Sequence, residues 1–105
     1  MNNRPLAQLL DQHRDKIIEV AAKYGAWNVR VFGSVARGEE TLESDIDLLV
    51  EFAGKYRLWD WIKLQNELQA ILNHKVDVSI LSQLRDELRP YVLKDARPLQ
   101  PVNFD

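Results

Sequence analysis

The stretch Val29–Val50, VRVFGSVARGEETLESDIDLLV, decides how this chain is read. Trp27 to Phe32 is rich in β-branched and aromatic residues and is predicted as a strand. Gly33 ends it, Ser34 follows, and Val35 to Arg37 reads as a short helical stretch. A strand running into Gly-Ser and a helix offers backbone N–H groups and a hydroxyl to an anion. Taken alone, such a pair is also the mark of an ordinary turn. What tips the reading is the next apolar run, which begins ten residues later and carries two acids, Asp45 and Asp47.

Asp45 to Phe52 is predicted as the second strand, ending at Ala53-Gly54. Side chains alternate faces along a strand, so Asp45 and Asp47 point the same way, roughly 6 to 7 Å apart, with Ile46, Leu48 and Val50 opposite. Two acids side by side on an exposed face repel each other, and a hard divalent cation shared between their oxygens relieves the repulsion. The stretch is therefore a metal-site candidate. Glu51 shares that face but lies near the strand end and reads as solvated charge.

Beyond this stretch, Leu58 to Leu72 is predicted as a helix whose apolar stripe is Leu58, Trp61, Ile62, Leu68, Ile71 and Leu72. Trp59 falls at the edge of the stripe, where it would meet another protein. At Asn73-His74 the chain must turn, and Asn tolerates the left-handed backbone such a turn requires. Lys75 to Leu81 follows as a third strand, with Val76, Val78 and Ile80 on one face and Asp77 on the other. An acid between two valines ordinarily pairs with a base or a cap; on a strand adjacent to the second, it would converge with Asp45 and Asp47. Ser82 to Ala96 is predicted as a last helical segment that Pro90 kinks or restarts. Pro98 and Pro101 flank Leu99, so the tail is at most a short edge strand.

Toward the N-terminus, apolar residues from Leu6 to Tyr24 recur at spacings of three and four. They predict one amphipathic helix with Pro5 in its first turn and Gly25 as its stop. Polar His13 alone breaks the stripe. His13 and His74, the only histidines, lie far apart and have no partner at ligand spacing, so both read as satisfied or surface residues.

At 105 residues the chain has room for one domain. Its 14 basic and 16 acidic residues are mixed along the chain, giving a net charge of -2 and no footprint for a polyanion. Direct nucleic-acid binding is not expected. The absence of cysteine removes disulfides and thiolate zinc ligands. The start, MNNRPLAQLL, has neither the apolar core nor the cleavage site of a signal peptide, and no run approaches the ~18 apolar residues of a membrane span. The expectation is a cytoplasmic protein without membrane contact.

These residues resemble the DNA polymerase beta nucleotidyltransferase superfamily. The likeness rests on Gly33-Ser34 after a hydrophobic residue, then Asp45-Ile46-Asp47 among apolar residues, and it extends to nearly the whole chain. The short length, Arg37-Gly38 and Ser44-Asp45-Ile46-Asp47-Leu48 are most similar to the minimal nucleotidyltransferases. The resemblance implies an α/β (α+β) fold: a single nucleotidyltransferase domain over 1–105, with a small mixed sheet of three to four strands covered by helices. It makes Asp77 the third carboxylate. Asp45, Asp47 and Asp77 become the catalytic and metal-binding acids for two Mg2+ ions, or Mn2+. Gly33 and Ser34 become the cradle for the triphosphate of ATP, with Arg37 and Ser44 as auxiliary nucleotide contacts. Asn73-His74 departs from the family's glycine-containing turn.

Minimal nucleotidyltransferases of this size typically serve, in the prokaryotic cytoplasm, as antitoxins to a HEPN-domain ribonuclease. The resemblance therefore implies a protein adenylyltransferase that silences its partner by moving AMP from ATP to a tyrosine hydroxyl. Two other classes stay open: an antitoxin that only blocks the toxin sterically, and a small-molecule nucleotidyltransferase. A pure binder has no need of three acids on one face, given what unpaired charges cost there. Small-molecule enzymes of the superfamily generally carry an extra substrate domain, for which this chain has no room.

Overall fold

A computed structural model describes residues 4–99. The elements run α1 (Pro5–Gln12), α2 (Arg14–Lys23), β1 (Ala26–Phe32), α3 (Gly33–Arg37), β2 (Ile46–Phe52), α4 (Leu58–Leu72), β3 (Val76–Ile80), a 3-10 turn (Leu81–Gln83), α5 (Arg89–Asp95) and β4 (Arg97–Pro98). The four strands form one mixed sheet in the order β3-β2-β1-β4. β1 pairs antiparallel with β2 and β4, whereas β3 lies parallel to β2 because α4 carries the chain back between them. This is the small mixed α/β architecture that the family resemblance implies.

One face of the sheet holds the core. Val29, Ile46, Leu48, Val50, Val76 and Val78 pack there against Leu6, Leu10, Ile17 and Val20 of the first two helices and Leu64, Leu68 and Leu72 of α4. Each such side chain contributes about 2 kcal/mol by leaving water. The α4 stripe differs from expectation: Leu64 is buried, while Leu58 stays 64% exposed in the first turn. Trp59 is exposed as expected. Asn73 ends α4 with φ +48°, so the left-handed turn is made by Asn without glycine.

The predicted helix Leu6–Tyr24 is two helices. At His13 (φ -111°, ψ 14°) the amide nitrogen points between the carbonyls of Leu9 and Leu10, and the ring Nδ1 sits 3.1 Å from the Leu9 carbonyl oxygen. A side chain competing for that carbonyl loosens the turn, yet both halves keep their apolar residues on the sheet. The predicted helix from Ser82 likewise forms only at Arg89, because Pro90, with no N–H to give, is tolerated in a first turn but not inside a helix. β4 is the short edge strand expected at Pro98; Pro101 lies outside the described residues.

Glu40, in the link between α3 and β2, is the one buried charged residue among those described. Its carboxylate accepts from the Ala7 amide at 2.7 Å and from Arg4 Nε at 3.2 Å, so it caps α1 from across the chain. The donated bonds replace the water the acid has lost. They also anchor the loop that delivers Asp45.

Candidate active site

The site lies where β1 ends and β2 and β3 begin. Antiparallel pairing sets Phe32 opposite Asp47, and parallel pairing sets Asp77 beside Asp47. The row Phe32, Asp47, Asp77 thus crosses three strands on the face away from the core, with neighbouring strands about 4.8 Å apart. Asp45 precedes the paired part of β2 rather than lying within it, and its side chain is 44% exposed. Lys75 Nζ approaches it at 3.5 Å, a surface pair worth little.

Gly33 opens α3 with φ +72°, a conformation that favours glycine. Its hydrogen faces Asp47: a Cβ there would come within 3.1 Å of Asp47 Cγ and closer still to Oδ2. The glycine therefore lets the first turn of α3, with Ser34 next, lie directly on the carboxylate.

The pKa of Asp47 is pushed up to about 6. Burial is the main cause, followed by the charges of Asp77 and then Asp45, with Arg37 pulling the other way. All three acids and Arg37 thus share one electrostatic neighbourhood. Among the described residues, no three acidic, histidine or cysteine side chains are grouped tightly enough to hold a metal ion as they stand. Like charge opposes closer approach. The donors are nevertheless right for magnesium: hard carboxylate oxygens, two of them on adjacent strands in register, with no thiolate or imidazole among them.

Arg37 and Ser44 are placed differently from the three acids. Arg37 is held by Glu39 at 3.0 Å and Asp95 at 2.7 Å, which raises its pKa and ties α3 to α5. It acts on Asp47 through its charge. Ser44 Oγ accepts from the Thr41 amide at 2.9 Å and so closes the turn before β2, while its carbonyl oxygen lies 2.6 Å from His74 Nε2. That contact leaves His74 satisfied, as His13 is. Glu51, outside the site, bonds Asn28 at 2.6 Å and Arg30 at 3.3 Å. Asn28, at φ +51°, marks a register shift in β1 that the strand's composition does not signal.

The sequence reading missed how β3 is held. β3 is an edge strand, and one stripe of α4 supplies its missing bonds. Gln69 Oε1 accepts from the Val76 amide at 3.1 Å, Gln65 Oε1 from the Val78 amide at 2.9 Å, and Trp61 Nε1 donates to the Val78 carbonyl at 2.8 Å. These groups bracket Asp77. The recurrence of Trp61, Gln65 and Gln69 every four residues was the available signal: polar groups on the flank of a core-facing helix.

Comparison with known proteins places this geometry in a family. The chain belongs to the polymerase beta nucleotidyltransferases, whose family model matches residues 15–101; it is a nucleotidyltransferase. It is 32% identical over 90 residues to the protein adenylyltransferase MntA of Thermococcus cleftensis, covering 86% of this chain and 88% of that one. A solved structure provisionally named a minimal nucleotidyltransferase superposes with a TM-score of 0.79 at 40% identity, covering 88% of this chain and 94% of its own. The MNT antitoxin structure solved in complex with a tri-AMPylated Shewanella oneidensis HEPN toxin has a TM-score of 0.67 at 21% identity, over 89% of this chain and 73% of that one, a likeness of fold alone. No helix among the described residues is long and apolar enough to cross a membrane.

Proposed function

We propose that this chain is the antitoxin of a toxin–antitoxin pair and transfers AMP from ATP to a tyrosine hydroxyl of a HEPN-domain toxin. The observation that carries the reading is the stack of Gly33 on Asp47 with Asp77 in register beside it. A candidate anion cradle and a carboxylate pair are thereby brought together at one end of the sheet. Kinship with a protein adenylyltransferase and likeness to an antitoxin solved with an AMPylated toxin support the choice of acceptor.

In this mechanism the first-turn amides at Gly33 and Ser34, with the Ser34 hydroxyl, hold the β and γ phosphates. Asp45, Asp47 and Asp77 would hold two magnesium ions, which supply charge neutralisation on the reacting phosphate and the departing pyrophosphate. Asp77 accepts the proton of the incoming phenol. The phenolic oxygen forms a bond to the α phosphorus as the bond from that phosphorus to the bridging oxygen breaks, and pyrophosphate leaves. Glu40 and the Gln65, Gln69 and Trp61 contacts keep the acids from moving apart.

Mass spectrometry of the partner tests the reading. Wild type with ATP and magnesium should add one or more AMP units; Asp77→Asn should add none while still co-purifying with the partner. If Asp77→Asn protects cells as well as wild type does, transfer is dispensable and the protein is a steric antitoxin. If wild type adds no AMP with any metal or nucleotide, the proposal fails.

A further inference from the structure

Beside Asp77, along the outer edge of β3, lies a cleft of about 380 Å3. Its walls are Tyr56, Leu58, Trp61, Ile80 and Leu84, and Asp77 stands among the lining groups with Ser79 and Gln83. Tyr56 is fixed by stacking on Phe52, with ring centres 4.4 Å apart, and Trp61 by its bond to the Val78 carbonyl. The walls are therefore preorganised. Leu58, exposed in the first turn of α4, forms the rim on one side.

We infer that this cleft receives the ring of the acceptor phenol, so that β3 and the start of α4 form the acceptor half of the site. The inference rests on the proposed transfer and follows from the direction it imposes. In-line displacement requires the attacking oxygen, the phosphorus and the leaving oxygen to lie on one line. The leaving phosphates sit at Gly33 and Ser34, after β1; the proton acceptor, Asp77, is two strands away on β3, with Asp47 between them. The line of attack thus runs across the sheet from β3 toward β1, and the acceptor must approach from beyond β3.

The cleft lies there, apolar over most of its wall with one carboxylate, that of Asp77, among its lining groups. That pattern suits an apolar ring carrying a single hydroxyl.

Two measurements test this. The first titrates isotopically labelled full-length protein with p-cresol and, separately, with adenosine, following the Trp61 indole N–H and the Leu58 and Leu84 methyls by NMR. Shifts of these signals with p-cresol and not with adenosine are expected. Shifts with adenosine instead, or none with either, would overturn the inference by making the cleft a base site or no site.

The second measures AMP transfer by Leu84→Glu and by Leu58→Glu, the latter at an exposed position where folding is secure. Each should raise KM for the partner at least tenfold and leave KM for magnesium-ATP within twofold. A rise confined to KM for ATP would overturn it. Should wild type transfer no AMP at all, the proposed function falls, while the p-cresol titration still decides whether the cleft takes a phenol.

Discussion

Gly33 and Asp47 are in contact across the end of β1: the glycine hydrogen faces the carboxylate, and a Cβ in its place would collide with it. One contact therefore couples the turn proposed to cradle phosphate to the acid pair.

Gly33→Ala is expected to damage both stability and AMP transfer, since of the glycines it is the one whose added Cβ would meet an atom closer than van der Waals contact. A left-handed backbone costs an alanine about 1 to 2 kcal/mol, and its Cβ would stand 3.1 Å from Asp47 Cγ, forcing the acid aside. Urea denaturation should show the stability loss. AMP transfer should fall on the order of a hundredfold or more, as misplacement of catalytic groups predicts.

Asp47 gives the metal-free protein a signed pH dependence. Its carboxyl titrates at about 6 when folded against an ordinary 3.8, so the folded state holds the proton more tightly than the unfolded. The stability from this proton is complete below about pH 4 and is lost as pH rises through 6. Asp47→Asn, which cannot ionise, should therefore melt above wild type at about pH 7.5 and match it near pH 4. The gap should be about 1 to 2 kcal/mol once screening of the half-exposed carboxyl is allowed for. Paired thermal melts in EDTA check this, and an unfolded variant would make the acid structural.

Divalent metal should govern nucleotide binding, because three acids repel a triphosphate until cations intervene. Calorimetry with a nonhydrolysable ATP analogue should show binding with magnesium or manganese and little in EDTA. The magnesium-dependent affinity should weaken as pH falls through 6, where a proton competes for Asp47. Equal affinity with and without metal would remove the role assigned to the acids.

Gln65→Leu keeps the size of the side chain but leaves the Val78 amide without its acceptor, which otherwise lies at 2.9 Å. Loss of such a part-buried bond costs about 1 to 2 kcal/mol. Hydrogen exchange at Val78 should accelerate, and kcat should fall with KM for ATP little changed, because β3 then holds Asp77 less firmly. A variant with wild-type kcat and faster exchange would confine Gln65 to stability.

By itself the sequence determined three of the strands and the face their acids take. Alternation fixes a face with no reference to the rest of the chain, so Asp47 and Asp77 fall on the side opposite the core positions Leu48 and Val78, whatever packs around them. Gly33-Ser34 and Asn73 likewise declare local backbone needs that few other residues meet, and the structure places positive φ at both Gly33 and Asn73. Tertiary structure decided what depends on partners distant in sequence. His13 splits a helix whose periodicity runs through it, because one side-chain contact perturbs the backbone without altering the apolar pattern. Leu58 is excluded from a core that takes Leu64, since the sheet covers only part of α4. Arg37 is drawn to Glu39 and Asp95, and Ser44 to Thr41, by neighbours that no motif reveals. The direct register of Asp47 with Asp77, and the cleft beyond it, exist only because α4 returns β3 parallel to β2 and its own side chains hold that edge in place.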